Sequence, residues 1–153
     1  MSAPARMTLD QIADRIEIDD LLTRYATALD AKDWDLWSSC FTDDAYVDYT
    51  AAGGPKGPVA EVRRWLEEVM ARFPMSQHLA VNRAVALDGD MATARSCLLN
   101  PMGLPDSEKG LLLFFDGGYY RDRLVRTADG WRIAERIEEP TFSTRLHRVM
   151  LHT

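Results

Sequence analysis

Residues 111–139 read LLLFFDGGYYRDRLVRTADGWRIAERIEE and predict two long β-strands joined by a tight turn. The turn is Ala128-Asp129-Gly130, and the strands are expected at about 111–127 and 131–139. An Asp-Gly pair between two strand-like runs is a strong hairpin signal. This stretch therefore predicts an antiparallel sheet, and the rest of the chain is interpreted outward from it.

The same pattern continues toward the amino end of this stretch. Asp88-Gly89-Asp90 predicts a second hairpin, between strands at about 77–87 and 91–100. Residues 100–109 contain two prolines and a glycine and predict a longer loop.

The amino-terminal part of the chain has helical periodicity. Thr8 followed by Gln11 is a capping-box pattern, which predicts that a helix begins there and runs to about Asp30. A second, short helix is expected to carry Trp34, Trp37 and Phe41 on one side and to be broken by residues 42–44. The apolar stripe expected on the long helix is Ile12, Ile16, Leu22, Tyr25, Ala26 and Leu29.

Residues 45–50 alternate, with Val47 and Tyr49 on one face, and predict a strand. Residues 51–58 contain three glycines and two prolines and predict a loop or a short turn. Pro58 suits the first turn of a third helix. The buried stripe expected on that helix is Val62, Trp65, Leu66 and Val69.

Helices followed by antiparallel strands predict the α+β fold class. We expect the amino-terminal helices to pack on a strongly curved antiparallel or mixed sheet, forming a cone with an internal pocket. Residues 1–153 are expected to form a single domain, with a core at about 8–140 and a tail at 141–153. The tail carries enough apolar residues to dock on another surface.

Composition limits the function classes. The net charge is −6, and the densest arginine cluster is interleaved with an aspartate, so nucleic acid is not an expected partner. No run of 18 uncharged apolar residues occurs, so no membrane span is expected. The first ten residues lack the apolar stretch of a secretory signal. Cys40 and Cys97 form no close-spaced motif and are interpreted as free thiols of a cytoplasmic protein.

His78 is the candidate base, because it is the one histidine outside the tail. A lone strand histidine is more often a core residue, and the catalytic interpretation needs a carboxylate within reach. Asp30, at the predicted end of the long helix, is that candidate, although aspartate also favours turns. A carboxylate beside an imidazole fixes its tautomer and raises its basicity, so that it can abstract a proton.

Three further residues are candidates for substrate binding. Tyr25 and Tyr49 could each pack in the core or donate a hydrogen bond to a substrate oxygen. Arg136 could bind the substrate or pair with Glu135 or Glu138 on the surface.

No metal site or cofactor site is expected. The sequence has no HExxH, no CxxC pair and no phosphate-binding glycine loop. His147 and His152 lie in the tail without a carboxylate nearby.

Five segments carry a recognisable pattern: YATALDAKDWD at 25–35, FTDDA at 41–45, DGD at 88–90 with Ala92, GYYRD at 118–122 and GWRIAER at 130–136. Together they resemble the SnoaL-like proteins of the nuclear-transport-factor-2-like, or cystatin-like cone, superfamily. The resemblance extends over nearly all of residues 8–140.

The resemblance implies a cone fold and a set of site residues. Asp30 and His78 match the base dyad of scytalone dehydratase, bile-acid dehydratase and a hexachlorocyclohexane dehydrochlorinase. Tyr49 matches a substrate-binding tyrosine of scytalone dehydratase, and Tyr25 matches a tyrosine that assists the bile-acid enzyme. Arg136 falls where the dehydrochlorinase-like members have a basic residue. The second histidine of scytalone dehydratase has no equivalent in residues 100–102, so that enzyme's substrate does not transfer to this chain.

The expected function is therefore a cofactor-independent lyase, a dehydratase acting on a small hydrophobic hydroxylated compound. The alternatives are an isomerase or a polyketide-type cyclase using the same dyad, or a binding protein for a hydrophobic ligand. The assembly expected for such a protein is a homodimer or homotrimer.

Overall fold

The computed structural model describes residues 6–107 and 110–149, which form a helical layer packed on one large sheet. The helices are α1 (Leu9–Ala31), α2 (Trp34–Ser38) and α3 (Val59–Met70), with a 3-10 turn at Thr50–Ala52. The strands are β1 (Phe41–Asp48), β2 (Lys56–Pro58), β3 (Met75–Ser76), β4 (Leu79–Asp88), β5 (Met91–Pro105), β6 (Leu111–Thr127), β7 (Gly130–Ser143) and β8 (His147–Val149).

The strands form one mixed sheet in the order β2-β1-β7-β6-β5-β3, while β4 also pairs with β5 and β8 with β6. The β1–β7 pair is parallel, whereas the other pairs in the described part of the chain are antiparallel. The sheet does not close on itself. The predicted α+β class, with amino-terminal helices on a curved mixed sheet, is confirmed.

The core lies between the helices and the inner face of the sheet. Burial of each large apolar side chain there contributes about 1.5–3 kcal/mol. The fully or almost fully buried apolar residues include Ile18, Leu21, Leu22, Leu29, Trp37, Val47, Val62, Leu66, Leu98, Leu124, Trp131 and Ile133.

Helix α1 begins as predicted, at a capping box in which Gln11 N donates to Thr8 Oγ1 and Thr8 N donates to Gln11 Oε1. The predicted stripe is wrong at Ile12 and Ile16, which are 39% and 58% exposed. At 100° per residue they lie more than about 100° around the helix from Ile18, which faces the core. Only the later part of the predicted stripe is buried.

The predicted position of Phe41 in the second helix is wrong. Helix α2 ends at Ser38, and Phe41 begins β1, where it pairs in register with Ile133 of β7. A register shift between Phe41 and Tyr46 accommodates the three residues that were interpreted as a helix break. Tertiary pairing with β7 thus outweighs the helical spacing of the aromatic residues.

The two predicted hairpins are present. Asp88 pairs with Met91, and Thr127 pairs with Gly130. Gly89 and Gly130 adopt φ values of 59° and 94°, which an L-residue with a side chain rarely adopts.

The predicted loop at 100–109 is wrong over its first half, because β5 continues to Pro105. The carbonyl of Pro101 accepts a hydrogen bond from Gln77 N at 3.0 Å. Because the nitrogen and carbonyl of one strand residue point to the same side, the missing N–H of Pro101 faces the break between β3 and β4, and no hydrogen bond to β6 is lost. The strand expected at 77–87 corresponds to β4, which begins later, at Leu79. The short strand β3 precedes the predicted range, and His78 lies between β3 and β4.

The last predicted strand is longer than expected, since β7 extends to Ser143. In the described part of the tail, β8 pairs with β6 through Leu111 and Val149, while Met150 and Leu151 lie outside the described residues. A single domain over 1–153 stays a prediction. None of the helices described is long and apolar enough to span a bilayer.

Candidate active site

A cavity of about 280 Å³ opens between the helical layer and the inner face of the sheet. Helix α3 supplies four of the apolar side chains, and the polar side chains come from the sheet side and, in the case of Tyr25, from α1. The apolar lining is Leu29, Ala52, Trp65, Leu66, Val69, Met70, Phe73, Met102 and Phe114. The polar lining is Tyr25, Tyr49, His78, Asn100, Asp116, Tyr120 and Glu138.

Asp30 and His78 are in direct contact. His78 Nδ1 lies 2.6 Å from Asp30 Oδ1, and the backbone N–H of His78 donates to Asp30 Oδ2 at 2.8 Å. Ser76 Oγ also donates to Asp30 Oδ1, at 2.9 Å. The last turn of α1 supplies the carboxylate, and the break between β3 and β4 turns His78 back toward it.

The environment of the pair favours a charged carboxylate. Burial raises the pKa of Asp30, but the side chain and backbone of His78 and the hydroxyl of Ser76 outweigh it, so the pKa is lowered. An ionised Asp30 accepts the Nδ1 proton of His78, which leaves the lone pair on Nε2. The His78 side chain is only 6% exposed, and it lines the cavity. Nε2 is therefore the atom that can act as a base there.

Tyr25 and Tyr49 lie side by side on the cavity wall. Their hydroxyl oxygens are 2.6 Å apart, and both side chains are buried. Burial, together with the neighbouring Tyr25, raises the pKa of Tyr49 well above its ordinary value. Because one hydroxyl donates to the other, the second retains a proton that it can donate to a ligand.

Arg136 does not line the cavity but lies behind it. Its guanidinium donates to both carboxylate oxygens of Asp122, at 2.7 and 2.8 Å, and it is fully buried. The same group lies 3.8 Å from the ring centre of Tyr25 and 4.2 Å from that of Tyr120. Its ion-pair partner is thus Asp122, and neither Glu135 nor Glu138 takes that place.

Sequence reasoning missed four cavity residues: Asn100, Asp116, Tyr120 and Glu138. Alternation along β5, β6 and β7 turns them inward, on the same face as Ser96, Asp122 and Arg136, which are all buried. Buried polar residues within long strands were the signal that could have identified this wall.

The pKa of Glu138 is raised into the neutral range. Burial raises its pKa, the charge of Arg136 opposes the rise, and the carboxylate of Asp116 adds to it, giving a pKa of about 7. The adjacent Glu139 points to the outer face, where it accepts hydrogen bonds from Arg121 and Arg95.

A metal centre is not indicated by the side chains. Within residues 6–107 and 110–149, no three His, Cys, Asp or Glu side chains are grouped closely enough to bind an ion. Cys40 is buried, and burial raises the pKa of its thiol.

Known proteins share the sequence pattern and the fold of this chain. The profile of the SnoaL-like domain matches residues 10–137. Protein Rv2910c of Mycobacterium tuberculosis, whose function is uncharacterised, is 40% identical over 136 residues, which cover 89% of this chain and 91% of that protein.

Two solved structures have the same fold. Kfla4162 of Kribbella flavida superposes with a TM-score of 0.79 at 27% identity, over 88% of this chain and 95% of that one. A Novosphingobium aromaticivorans protein provisionally named scytalone dehydratase has a TM-score of 0.79 at 20% identity, over 92% and 93% of the two chains. The protein belongs to the SnoaL-like domain family.

Proposed function

We propose that this protein is a cofactor-independent lyase that removes water from a small hydrophobic hydroxylated compound. The observation that carries the proposal is the hydrogen bond between Asp30 and His78 at the edge of a largely apolar cavity. The fold shared with the scytalone dehydratase neighbour is compatible with such chemistry.

The base of the proposed reaction is His78 Nε2. It removes a proton from a carbon next to a carbonyl group of the substrate, and Asp30 stabilises the imidazolium that forms. Asp30 contributes twice, because it also binds the backbone N–H of His78 and so limits rotation of the ring away from the cavity. A positioned base of this kind contributes about 10²–10⁴-fold to the rate.

The tyrosine pair is the proposed electrophile. The hydroxyl proton that is not shared between Tyr25 and Tyr49 donates to the carbonyl oxygen, which gains negative charge as the proton leaves carbon. The cation of Arg136 behind the Tyr25 ring favours this polarisation. Arg136 therefore acts through Tyr25 as a positioning residue and does not touch the substrate.

The shape of the cavity indicates the substrate class. The α3 wall offers an indole and three aliphatic or thioether side chains, which suit an aromatic or polycyclic skeleton. The polar groups converge on the opposite side, where the carbonyl and hydroxyl of a hydroxyketone would lie.

The test uses the aldol of benzaldehyde and acetone, a β-hydroxyketone, with benzylideneacetone as the expected product. Formation of the enone is followed by its ultraviolet absorbance, and loss of water is verified by mass spectrometry. Wild-type protein should produce the enone and His78→Ala should not. His147→Ala, an exposed histidine, is the matched control. Equal enone formation by wild-type and His78→Ala protein contradicts the proposal, and isomerisation without loss of mass favours an isomerase.

A further inference from the structure

Besides Tyr120, three polar side chains of the cavity have no role in the reaction so far. Asn100 on β5 pairs in register with Asp116 on β6, and Glu138 on β7 pairs in register with Tyr120 of β6. All three line the cavity. His78 lies beside Asn100, because Leu79 pairs with Leu99 and Gln77 N donates to Pro101 O. A polar row therefore runs across the sheet from the base to Glu138.

Asn100 indicates that this row receives a ligand. The residue is only 5% exposed, and its Oδ1 has no hydrogen-bond partner among the described residues. A buried acceptor without a partner costs about 1–3 kcal/mol, and native structures seldom retain one without a reason. A hydroxyl group of the substrate would supply the missing donor.

Among the residues that the structure describes, Glu138 forms no ion pair. The nearby cation of Arg136 donates to Asp122 from Nε and Nη2, and its buried Nη1 makes no hydrogen bond to Glu138 or to any other described residue. The other titratable groups that face Glu138 are Asp116 on β6, which opposes its ionisation, and the phenols of Tyr49 and Tyr120. With a pKa of about 7, Glu138 carries a proton in a large part of the molecules at neutral pH.

We propose, on the basis of the lyase function above, that Glu138 is the general acid that protonates the departing hydroxyl, which Asn100 and Asp116 hold in place. His78 Nε2 takes the proton from carbon, and the electrons of that C–H bond form the new C=C bond. The C–O bond breaks with its electrons remaining on oxygen, and this oxygen takes the proton of Glu138 and leaves as water. The imidazolium then gives its proton to solvent, and the Glu138 carboxylate takes one from solvent.

The first arm of the test compares two leaving groups on one skeleton. The benzaldehyde–acetone aldol and its β-chloro analogue give the same enone, but chloride leaves without a proton. Above the uncatalysed rate, Glu138→Gln should lose about 100-fold or more on the aldol and stay within a few-fold of wild type on the chloride. His78→Ala should lose both activities, and Glu139→Gln, which changes the adjacent outward carboxylate, should keep both.

Two results would overturn the role of Glu138 while leaving the lyase function intact. One is a Glu138→Gln protein that keeps the aldol activity, and the other is an equal loss on both ketones. Wild-type protein that turns over neither ketone contradicts the lyase function itself, and the role of Glu138 with it.

The second arm needs no turnover. Carbon NMR of labelled glutamate carboxyls, with Glu138→Gln used for assignment, should find Glu138 titrating at about pH 7. In the Asp116→Asn variant, Glu138 should titrate at lower pH, because the negative charge of Asp116 no longer opposes its ionisation. A Glu138 carboxyl that titrates in the ordinary glutamate range overturns the proposal.

Discussion

Asp30 binds His78 at two points, since one carboxylate oxygen lies 2.6 Å from the ring nitrogen Nδ1 and the other accepts the backbone N–H at 2.8 Å. A carboxylate that only neutralised the imidazole would need just the first contact. The second one fixes the main chain at the break between β3 and β4, and so orients the ring as well as its tautomer.

Asp30→Asn should therefore reduce turnover severely while leaving the fold intact. An amide at this site can donate to Nδ1, which moves the imidazole proton to Nε2 and removes the base. The analogous change in a serine-protease triad costs about 10⁴-fold in kcat, and we expect a loss approaching that size. The measurement is kcat of the variant on the aldol substrate. Asp35→Asn, an exposed carboxylate change, serves as the control, and a loss below tenfold would contradict the role given to Asp30.

The phenols should matter less than the dyad. Tyr25→Phe and Tyr49→Phe each remove one partner of the hydroxyl pair but leave His78 and Asp30 unchanged. Losing one hydrogen bond worth about 1 kcal/mol predicts a decrease in kcat of about fivefold. Tyr46→Phe, on the exposed face of β1, is the matched control. If either cavity variant is as inactive as His78→Ala, the phenols take part in proton transfer and the assignment of roles is wrong.

Arg136→Met should destabilise the fold strongly. It leaves the fully buried carboxylate of Asp122 without its cation, and breaking a buried pair in this way costs about 3–5 kcal/mol. The double variant Arg136→Met with Asp122→Leu should recover much of that loss, because no charge then remains buried. Urea unfolding of the single and double variants measures this difference. Equal stability of Arg136→Met and wild type would show that the pair carries little of the fold's stability.

Glu138→Gln should be more stable than wild type at alkaline pH. Below about pH 4.5 the carboxyl is protonated in both the folded and unfolded states, and the two proteins should have similar free energies of unfolding. As the pH rises toward 7, the unfolded state loses the proton that the folded state keeps, so wild type loses stability relative to the variant. The shift from 4.5 to about 7 corresponds to a difference of up to about 3 kcal/mol above pH 7.

This difference is measured by denaturant unfolding of both proteins between pH 4 and pH 9. A free-energy difference that does not change over that range would mean that Glu138 ionises normally in the folded protein. Its proposed role as a proton donor would then lose its physical basis.

The features of the fold that could be predicted from the sequence are those that depend on residues close together in the chain. The capping box of α1 and the two Asp-Gly hairpin turns depend on neighbouring residues, and the structure confirms all three. Phe41 was assigned to a helix because its pairing with Ile133, 92 positions away, is invisible in a local pattern. Pro101 predicts a loop because proline lacks the N–H that a central strand normally uses. The sequence does not show that this side of Pro101 faces Gln77 instead of β6.

Of the candidate site, the sequence predicts the Asp30–His78 pair but not Glu138. His78 is a candidate as the one histidine outside the tail, Asp30 as the carboxylate at the predicted helix end, and both match the dyad of family members that the chain resembles. The structure brings their side chains together. Glu138 is not identified, because the sequence pattern offers it only as a possible surface partner of Arg136, and adjacent carboxylates such as Glu138 and Glu139 point to opposite faces of a strand. The carboxylates do diverge, but which of them enters the cavity depends on the register of β7 against β6, including a shift between Gly117 and Gly118.

The central claim is that His78 removes a proton from carbon, and hydrogen exchange tests it without any leaving group. Benzylacetone, the saturated ketone of the same skeleton, is incubated with the protein in deuterium oxide, and proton NMR follows loss of the signal next to the carbonyl. We predict exchange above the solvent rate with wild type, and a decrease of about 10²–10⁴-fold for His78→Ala protein with an unchanged thermal melt. Equal exchange rates for the two proteins would contradict the account.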